Sequence, residues 1–386
     1  MDNFTLCLST KVLFGKGQIA NIRHEIPDGS RVLVTYGRGS VFKNGVMDQV
    51  HSALKGFKTF EFGGIESNPH YETLIKALPI VKQEKIDFLL AVGGGSVLDG
   101  TKFIAAASKY YDQNNLWEIL TTHGEKVKNC LPVASIMTIP ATGSEMNDTG
   151  VISRVGTGDK LGFAAECLKP KFAVLDPSVT FSLPPRQTAN GVVDAFVHVA
   201  EQYMTYPVRA QIPDRFSEAV FKTLMEEGPI ALEKPDDYDA RANIMWAATN
   251  GLNRILATGV PQDWVSHAIG HELTAMFGID HGRTLAVVLP AVYEYEKESK
   301  KQKLAQFARR VLGKTGSDDE LADVTINETR AFFEKMGTKT HLSDYGIGED
   351  AIPKLVKKLE EHGQTGCGEH HDIGPKEMGE ILRLAL

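Results

Sequence analysis

Cysteine is scarce in this chain. There are four among 386 residues, Cys7, Cys130, Cys167 and Cys367, and no Cys-x-x-Cys pair. That spacing argues against a zinc ribbon or a thioredoxin-type redox site, and so few thiols in so long a chain do not make a disulfide framework. Long apolar runs are also missing. No stretch approaches the roughly 18 uncharged residues that a membrane-spanning helix needs. The segment MDNFTLCLSTKVLFGKG lacks the continuous apolar core of a secretory signal. Basic runs are absent too: 42 Lys and Arg stand against 49 Asp and Glu, for a net charge of -7. A nucleic-acid footprint is therefore not expected. No repeat and no low-complexity segment interrupts the chain. What these absences leave is an ordinary globular protein of the reducing cytoplasm, with a core that needs no staples. At roughly 100–200 residues per domain, the length predicts about two domains.

The first half alternates short β-like runs with helical stretches. Strands are predicted at 31–36, more weakly at 57–62, and at 87–92, 132–139 and 172–175, with helical spacing at 71–84 and 97–108. Such alternation predicts a parallel sheet covered by helices. From Pro184 onward long helical patterns take over, at 190–205, 213–227, 240–256 and 263–277. The expected organisation is an α/β domain over 1–180 followed by an all-helical domain over 181–386.

Three of the predicted strands end in polar, glycine-bearing turns: Gly37-Arg38-Gly39-Ser40, Gly93-Gly94-Gly95-Ser96 and Pro140-Ala141-Thr142-Gly143-Ser144. Glycines let backbone N–H groups approach an anion, and a following helix adds its positive end. The middle turn is neither a GxGxxG fingerprint nor a Walker A loop. No Asp or Glu lies between Arg31 and Phe42, where an NAD site usually places its ribose-binding acid; Arg38, Ser40 and Lys43 stand there instead. That composition leans toward NADP(H), with its extra phosphate. Asn68-Pro69 marks another turn that can edge the same cleft, and Thr138 brings a hydroxyl to a strand end.

The helical half carries a different chemistry. Asp194 and His198 are four residues apart, as are His267 and His271, so each pair shares a helix face amid apolar neighbours. His281 follows in Gly278-Ile-Asp-His281-Gly, which reads as a loop before a helix at 284–289. One carboxylate with several imidazoles suits Zn²⁺ or Fe²⁺ and suits Ca²⁺ or Mg²⁺ poorly. The HExxH motif is absent, since Glu272 lies outside the His-x-x-x-His spacing. Spacing alone leaves open which of His267, His271 and His281 is not a ligand. His370-His371-Asp372 reads as a polar loop.

Taken in order, the motifs GGGSVLDGTK at 93–102, PATGSE at 140–145, Asp194…His198 and His267…His271…His281-Gly282 resemble the iron-containing (group III) alcohol dehydrogenases over nearly the whole chain. Phe62-Gly-Gly-Ile-Glu66, Leu183-Pro-Pro-Arg-Gln187 and Val260-Pro-Gln-Asp-Trp264 resemble its butanol dehydrogenase and aldehyde reductase branch. The resemblance implies a dehydroquinate synthase-like architecture with the site in the cleft between two domains. It implies metal ligands Asp194, His198, His267 and His281, with His271 beside the nicotinamide as a proton relay. It implies adenosine-end contacts from Gly37, Arg38, Gly39 and Ser40, and pyrophosphate contacts from Gly94, Gly95 and Ser96. Asp99, Thr138, Thr142, Lys160 and Asn68 would complete the cofactor site. Arg38 departs from the small residue expected at its position. The implied activity is reversible, NADP(H)-dependent reduction of aldehydes to primary alcohols at one divalent metal, zinc or iron, by a homodimer. A Zn/NAD lyase of the dehydroquinate synthase type would need a denser basic lining than these apolar helices offer. A non-catalytic zinc protein would be expected to use cysteine.

Overall fold

The computed structural model describes all residues, Met1–Leu386. The chain forms two compact units, one of Cys7–Leu183 with Pro235–Met245, the other of Met1–Leu6, Pro184–Lys234 and Trp246–Leu386.

The first unit is built on eight strands: β1 (Lys11–Phe14), β2 (Arg31–Tyr36), β3 (Lys58–Phe62), β4 (Phe88–Gly93), β5 (Val133–Met137), β6 (Thr149–Arg154), β7 (Asp159–Ala164) and β8 (Phe172–Leu175). Six of them make one parallel sheet in the order β1-β8-β5-β4-β2-β3. Its helices are α1 (Ser40–Lys43), α2 (Val46–Ala53), α3 (Tyr71–Leu74), α4 (Leu78–Gln83), α5 (Gly95–Ala107) and α6 (Glu118–Thr121). A parallel sheet covered on both faces wants strands that are apolar at every position. β4 meets that demand, with Leu89 and Ala91 packed into the core on one face and Phe88, Leu90 and Val92 into the core on the other.

The expected strands are present, but three features differ from expectation. β1 is a four-residue edge strand, half exposed, without the apolar run that marks its neighbours. β6 and β7 pair as an antiparallel hairpin outside the main sheet. Both are only half buried and mix polar with apolar residues, so neither shows a strong period. The expected helix over 71–84 is three short pieces, with 3₁₀ geometry at Ile75–Ala77 between α3 and α4.

The chain continues through α7 (Pro185–Tyr203), α8 (Gln211–Glu233), α9 (Tyr238–Gly251), α10 (Val265–Phe277), α11 (His281–Tyr295), α12 (Lys297–Arg310), α13 (Asp318–Lys335), α14 (Ile352–Glu361) and α15 (Pro375–Leu384). This gives the α/β plus all-α architecture expected. Proline opens α7, where its missing N–H costs nothing, and Ser317 with Glu320 forms a capping box on α13. The side of α7 that carries Phe196 fixes the helix in place: that ring packs against Phe221 at 4.7 Å, Phe333 at 5.3 Å and Phe332 at 5.4 Å, centroid to centroid. We expect Phe196→Ala to lower stability by about 3–5 kcal/mol, as for other large-to-small core changes. Equilibrium denaturation with urea measures it, and a loss below ~1 kcal/mol would mean the cluster does not anchor α7.

Candidate functional site

Three helices of the second unit bring polar side chains into its apolar interior. α7 presents Asp194 and His198 one turn apart, both buried. α10 presents His267 in its first turn. It is preceded by Trp264, which adopts the left-handed backbone conformation at φ 67, and by Asp263, whose Oδ1 accepts the Val265 N–H at 2.8 Å. α11 presents His281 as its first residue, not in a loop before the helix as the flanking glycines suggested. The turn is locked by Asp280, whose Oδ2 accepts hydrogen bonds from Arg186 Nε at 2.7 Å and Asn190 Nδ2 at 2.8 Å. Gly282 is required for close approach: a Cβ there would lie 2.5 Å from the Asn190 carbonyl oxygen of α7.

The outcome is a convergence on one atom. Asp194 Oδ1 lies 3.7 Å from His198 Nε2, 3.8 Å from His281 Nε2 and 4.0 Å from His267 Nε2. That oxygen is buried and accepts no hydrogen bond. The separations are too long for hydrogen bonds. Two donors sharing a tetrahedral cation at about 2.1 Å lie about 3.4 Å apart, somewhat closer than these values. The donor atoms of Asp194, His267 and His281 all lie within 4.8 Å of one another, and His198 joins them through its 3.7 Å approach to Asp194. A buried carboxylate oxygen facing imidazole nitrogens at ligand spacing fits a divalent transition metal. The donor set of oxygen and nitrogen, without sulfur, suits iron as well as zinc.

The surroundings orient the rings. His198 and His267 stack at 4.7 Å, and the Trp264 ring meets His267 edge-on at 5.4 Å. His271 stands beside the group, its ring 5.0 Å from His281 and 6.1 Å from His267. Glu201, one turn past His198, accepts hydrogen bonds from both the backbone N–H and the Nδ1–H of His267. Burial, with the charge of Asp263, raises the Glu201 carboxyl, while the His267 N–H groups oppose this by favouring its ionised form. Glu201 and Trp264 were not singled out as functional residues from sequence. Glu201 continues the Asp194-x₃-His198 face by three residues, a signal that was there to be seen.

The first unit gathers the glycine turns at the carboxyl ends of its strands. β2 is flanked by β3 and β4, so the chain reverses direction across the sheet there, the position where open α/β sheets bind ligands. Gly37, Arg38, Gly39 and Ser40 follow β2. With Tyr36, Phe42, Gly63 and Gly64, the first three of these line an open recess of 630 Å³. The neighbouring carboxylate, Glu61 of β3, is engaged by Tyr36 Oη at 3.2 Å and His51 Nε2 at 2.8 Å.

Gly94, Gly95 and Ser96 follow β4 and open α5. A Cβ on Gly95 would lie 2.4 Å from Thr142 Oγ1, so glycine lets two turns touch. Ser96 Oγ accepts the Asn68 N–H at 3.3 Å, and the Thr138 N–H donates to the Gly93 carbonyl at 2.9 Å. Asp99 spends both oxygens on the protein, accepting from Ser144 Oγ at 2.7 Å and from the Val151 N–H at 3.1 Å. Burial raises its carboxyl above the usual value against the pull of Lys102, Ser144 and Lys160. Lys160 itself is buried on β7. Lys102 is fully buried. Its ammonium donates to Ser144 O at 2.7 Å, Ser144 Oγ at 2.8 Å, Asn147 O at 3.0 Å, Asn147 Oδ1 at 3.2 Å and Thr149 O at 2.8 Å. It straps the third turn to α5.

Known proteins resemble this chain in both sequence and fold. The sequence matches the family described as iron-containing alcohol dehydrogenase over residues 9–177, and the C-terminal domain of that family over residues 188–386. It is 58% identical to the NADPH-dependent aldehyde reductase YqhD of Escherichia coli, over 97% of each chain. It is 38% identical to the NADH-dependent butanol dehydrogenase A of Clostridium acetobutylicum, over 99% of each. The fold superposes on the crystal structure of E. coli YqhD with a TM-score of 0.98 at 56% identity, covering 100% of this chain and 99% of that one. It superposes on a butanol dehydrogenase from Thermotoga maritima with a TM-score of 0.95 at 36% identity, again covering 100% and 99%.

Removing the shared carboxylate should empty the centre. In Asp194→Ala, bound divalent metal should fall from about one per chain to near none, while the circular dichroism spectrum is unchanged. Elemental analysis of the purified variant decides it; full metal content would rule out Asp194 as a ligand.

Proposed function

The chain belongs to the iron-containing alcohol dehydrogenase family, and on that premise we propose that it is an NADPH-dependent reductase of small aldehydes, returning primary alcohols. The observation that carries this reading is the buried Asp194 oxygen facing three imidazole nitrogens. A set with no cysteine is typical of a cation kept for chemistry, whereas structural zinc sites are usually cysteine-rich and closed. When bound, a divalent cation, iron or zinc, supplies Lewis acidity at the carbonyl oxygen, and NADPH supplies the hydride.

The residues of the chain do the rest. Asp194, His198, His267 and His281 hold the cation. Trp264 stands edge-on to His267 and beside His198, and limits the room for water next to them. His271, beside the cluster but outside the donor set, holds a proton for the product alkoxide. Gly94, Gly95 and Ser96 at the start of α5 take the pyrophosphate, since that helix has no acidic residue in its first turn. Gly37, Gly39 and Ser40 approach the adenosine end. Arg38, exposed and with no carboxylate lining the recess beside it, takes the 2′-phosphate that distinguishes NADPH. Asn68, Thr138, Thr142, Asp99 and Lys160 shape the ribose and nicotinamide end. Asp99 does so through the turn it holds.

We assign the protein to the cytoplasm and to a homodimer. No helix is long and apolar enough to cross a membrane, and the four cysteines are thiols. Phe4, Leu6 and Leu8 expose an alternating apolar edge leading into β1, which lies at the rim of the sheet.

The direct test is consumption of NADPH with a panel of short aldehydes, with NADH as the comparison. Stoichiometric alcohol formation, faster with NADPH, is expected; no oxidation of either cofactor with any aldehyde would overturn the reading. In His271→Ala, kcat should fall by about 10²–10⁴-fold with metal content unchanged. Loss of the metal would instead make His271 a ligand.

A further inference from the structure

Lys300 lies on α12 with its side chain fully buried. An ammonium persists in such a place only where oxygens replace its water. Asp263 Oδ2 lies 2.6 Å away, Glu369 Oε1 and Oε2 lie 2.7 and 2.6 Å away, and Glu296 Oε2 lies 3.3 Å away. The Met204 carbonyl accepts a further hydrogen bond at 2.8 Å. Asp263, Glu296 and Glu369 lie close enough together to suit a metal ion. The lysine already stands among them, so this cluster carries its own cation.

Apart from the segment between α14 and α15 that carries Glu369, the elements that meet at Lys300 also build the imidazole group. Met204 closes α7. Asp263 uses its other oxygen to hold the first N–H of α10, and its own N–H donates to the Glu201 carbonyl at 2.9 Å. Glu201 then turns its carboxylate onto His267, taking the backbone N–H at 3.1 Å on Oε1 and the ring Nδ1–H on Oε2.

Two donors on one residue, met by two oxygens of one side chain, need a carboxylate. Glutamine offers one acceptor and one donor. With its oxygen on Nδ1–H, its NH₂ would face the His267 backbone N–H. Turned over, it would present a donor to the ring nitrogen and favour the tautomer protonated on Nε2. Nε2 is the nitrogen that lies 4.0 Å from Asp194 Oδ1, and a protonated nitrogen cannot ligate.

We propose that Glu201 is a positioning residue of the metal centre, fixing the tautomer and orientation of His267, and that Lys300 with Asp263 and Glu369 is the internal strut that holds α7 and the start of α10 in the register this requires. The proposal rests on the reading of Asp194, His198, His267 and His281 as the metal ligands.

The test uses the full-length protein loaded with Co²⁺. Co²⁺ affinity is measured by chelator competition, the coordination sphere by visible absorption, and the fold by thermal unfolding without metal. Glu201→Gln should bind Co²⁺ about 10–100-fold more weakly with an altered spectrum, while the metal-free unfolding temperature changes little. Lys300→Met should show the same spectral change with a loss of about tenfold. If that variant does not fold, Glu369→Gln takes its place. His267→Ala is the control. If it binds Co²⁺ as the parent protein does, the ligand reading fails. If it loses Co²⁺ while Glu201→Gln keeps the parent affinity and spectrum, the positioning role is overturned and the ligand reading stands. If only the Lys300 and Glu369 variants match the parent, the strut is overturned and the Glu201 clamp stands.

Discussion

A carboxylate oxygen shut away from water and given no hydrogen bond is unstable unless a positive charge stands beside it. Asp194 Oδ1 is in that condition, with three imidazole nitrogens at ligand spacing around it. Much of the second unit is arranged to make the condition possible. Phe196 nails one side of α7 into an aromatic cluster, so that its other side must carry Asp194 and His198 inward. Asp280 and Gly282 bring the start of α11 against α7, and Asp263 sets the start of α10. Three helix positions are thereby fixed by contacts that do not involve the donors themselves.

The two units divide the chemistry between them. In the proposed reading, the sheet unit takes anionic groups on backbone N–H donors, at turns where glycine lets chain segments touch, and the helical unit takes a cation on side chains. Both rely on a buried lysine as an internal fastener: Lys102 gathers five oxygens around the turn after β5, and Lys300 gathers three carboxylates and a carbonyl behind the imidazoles. A buried ammonium with few partners would be costly. With its partners satisfied, it ties together segments far apart in sequence and resists their drifting.

Much of this was legible in the residues. β4 and β8 are continuous apolar runs, and β2 and β5 nearly so, because both faces of their sheet are covered, and such runs are visible without coordinates. The i,i+4 spacing of Asp194 with His198 and of His267 with His271 placed those side chains on shared helix faces. The proposed ligand set rests on family resemblance, since spacing alone does not choose among His267, His271 and His281. Other features were hidden for physical reasons. β6 and β7 form a half-buried hairpin with no clean alternation. Gly282 reads as loop punctuation, yet it serves a close helix contact. Lys300 sits in Lys297-Glu-Ser-Lys300-Lys-Gln-Lys303, which looks like a solvated charged face, although Lys300 and Lys303 are both buried. Glu201 stands visibly on the Asp194–His198 face, but its partner lies 66 residues along the chain, so no local pattern shows what it holds.

Anomalous diffraction from crystals of the protein as purified, collected at the iron and zinc absorption edges, tests the central claim most directly. The proposed centre requires a single strong peak about 2.0–2.3 Å from Asp194 Oδ1 and from the Nε2 atoms of His198, His267 and His281. An anomalous peak elsewhere, or metal-replete crystals with no peak among these four side chains, would contradict it.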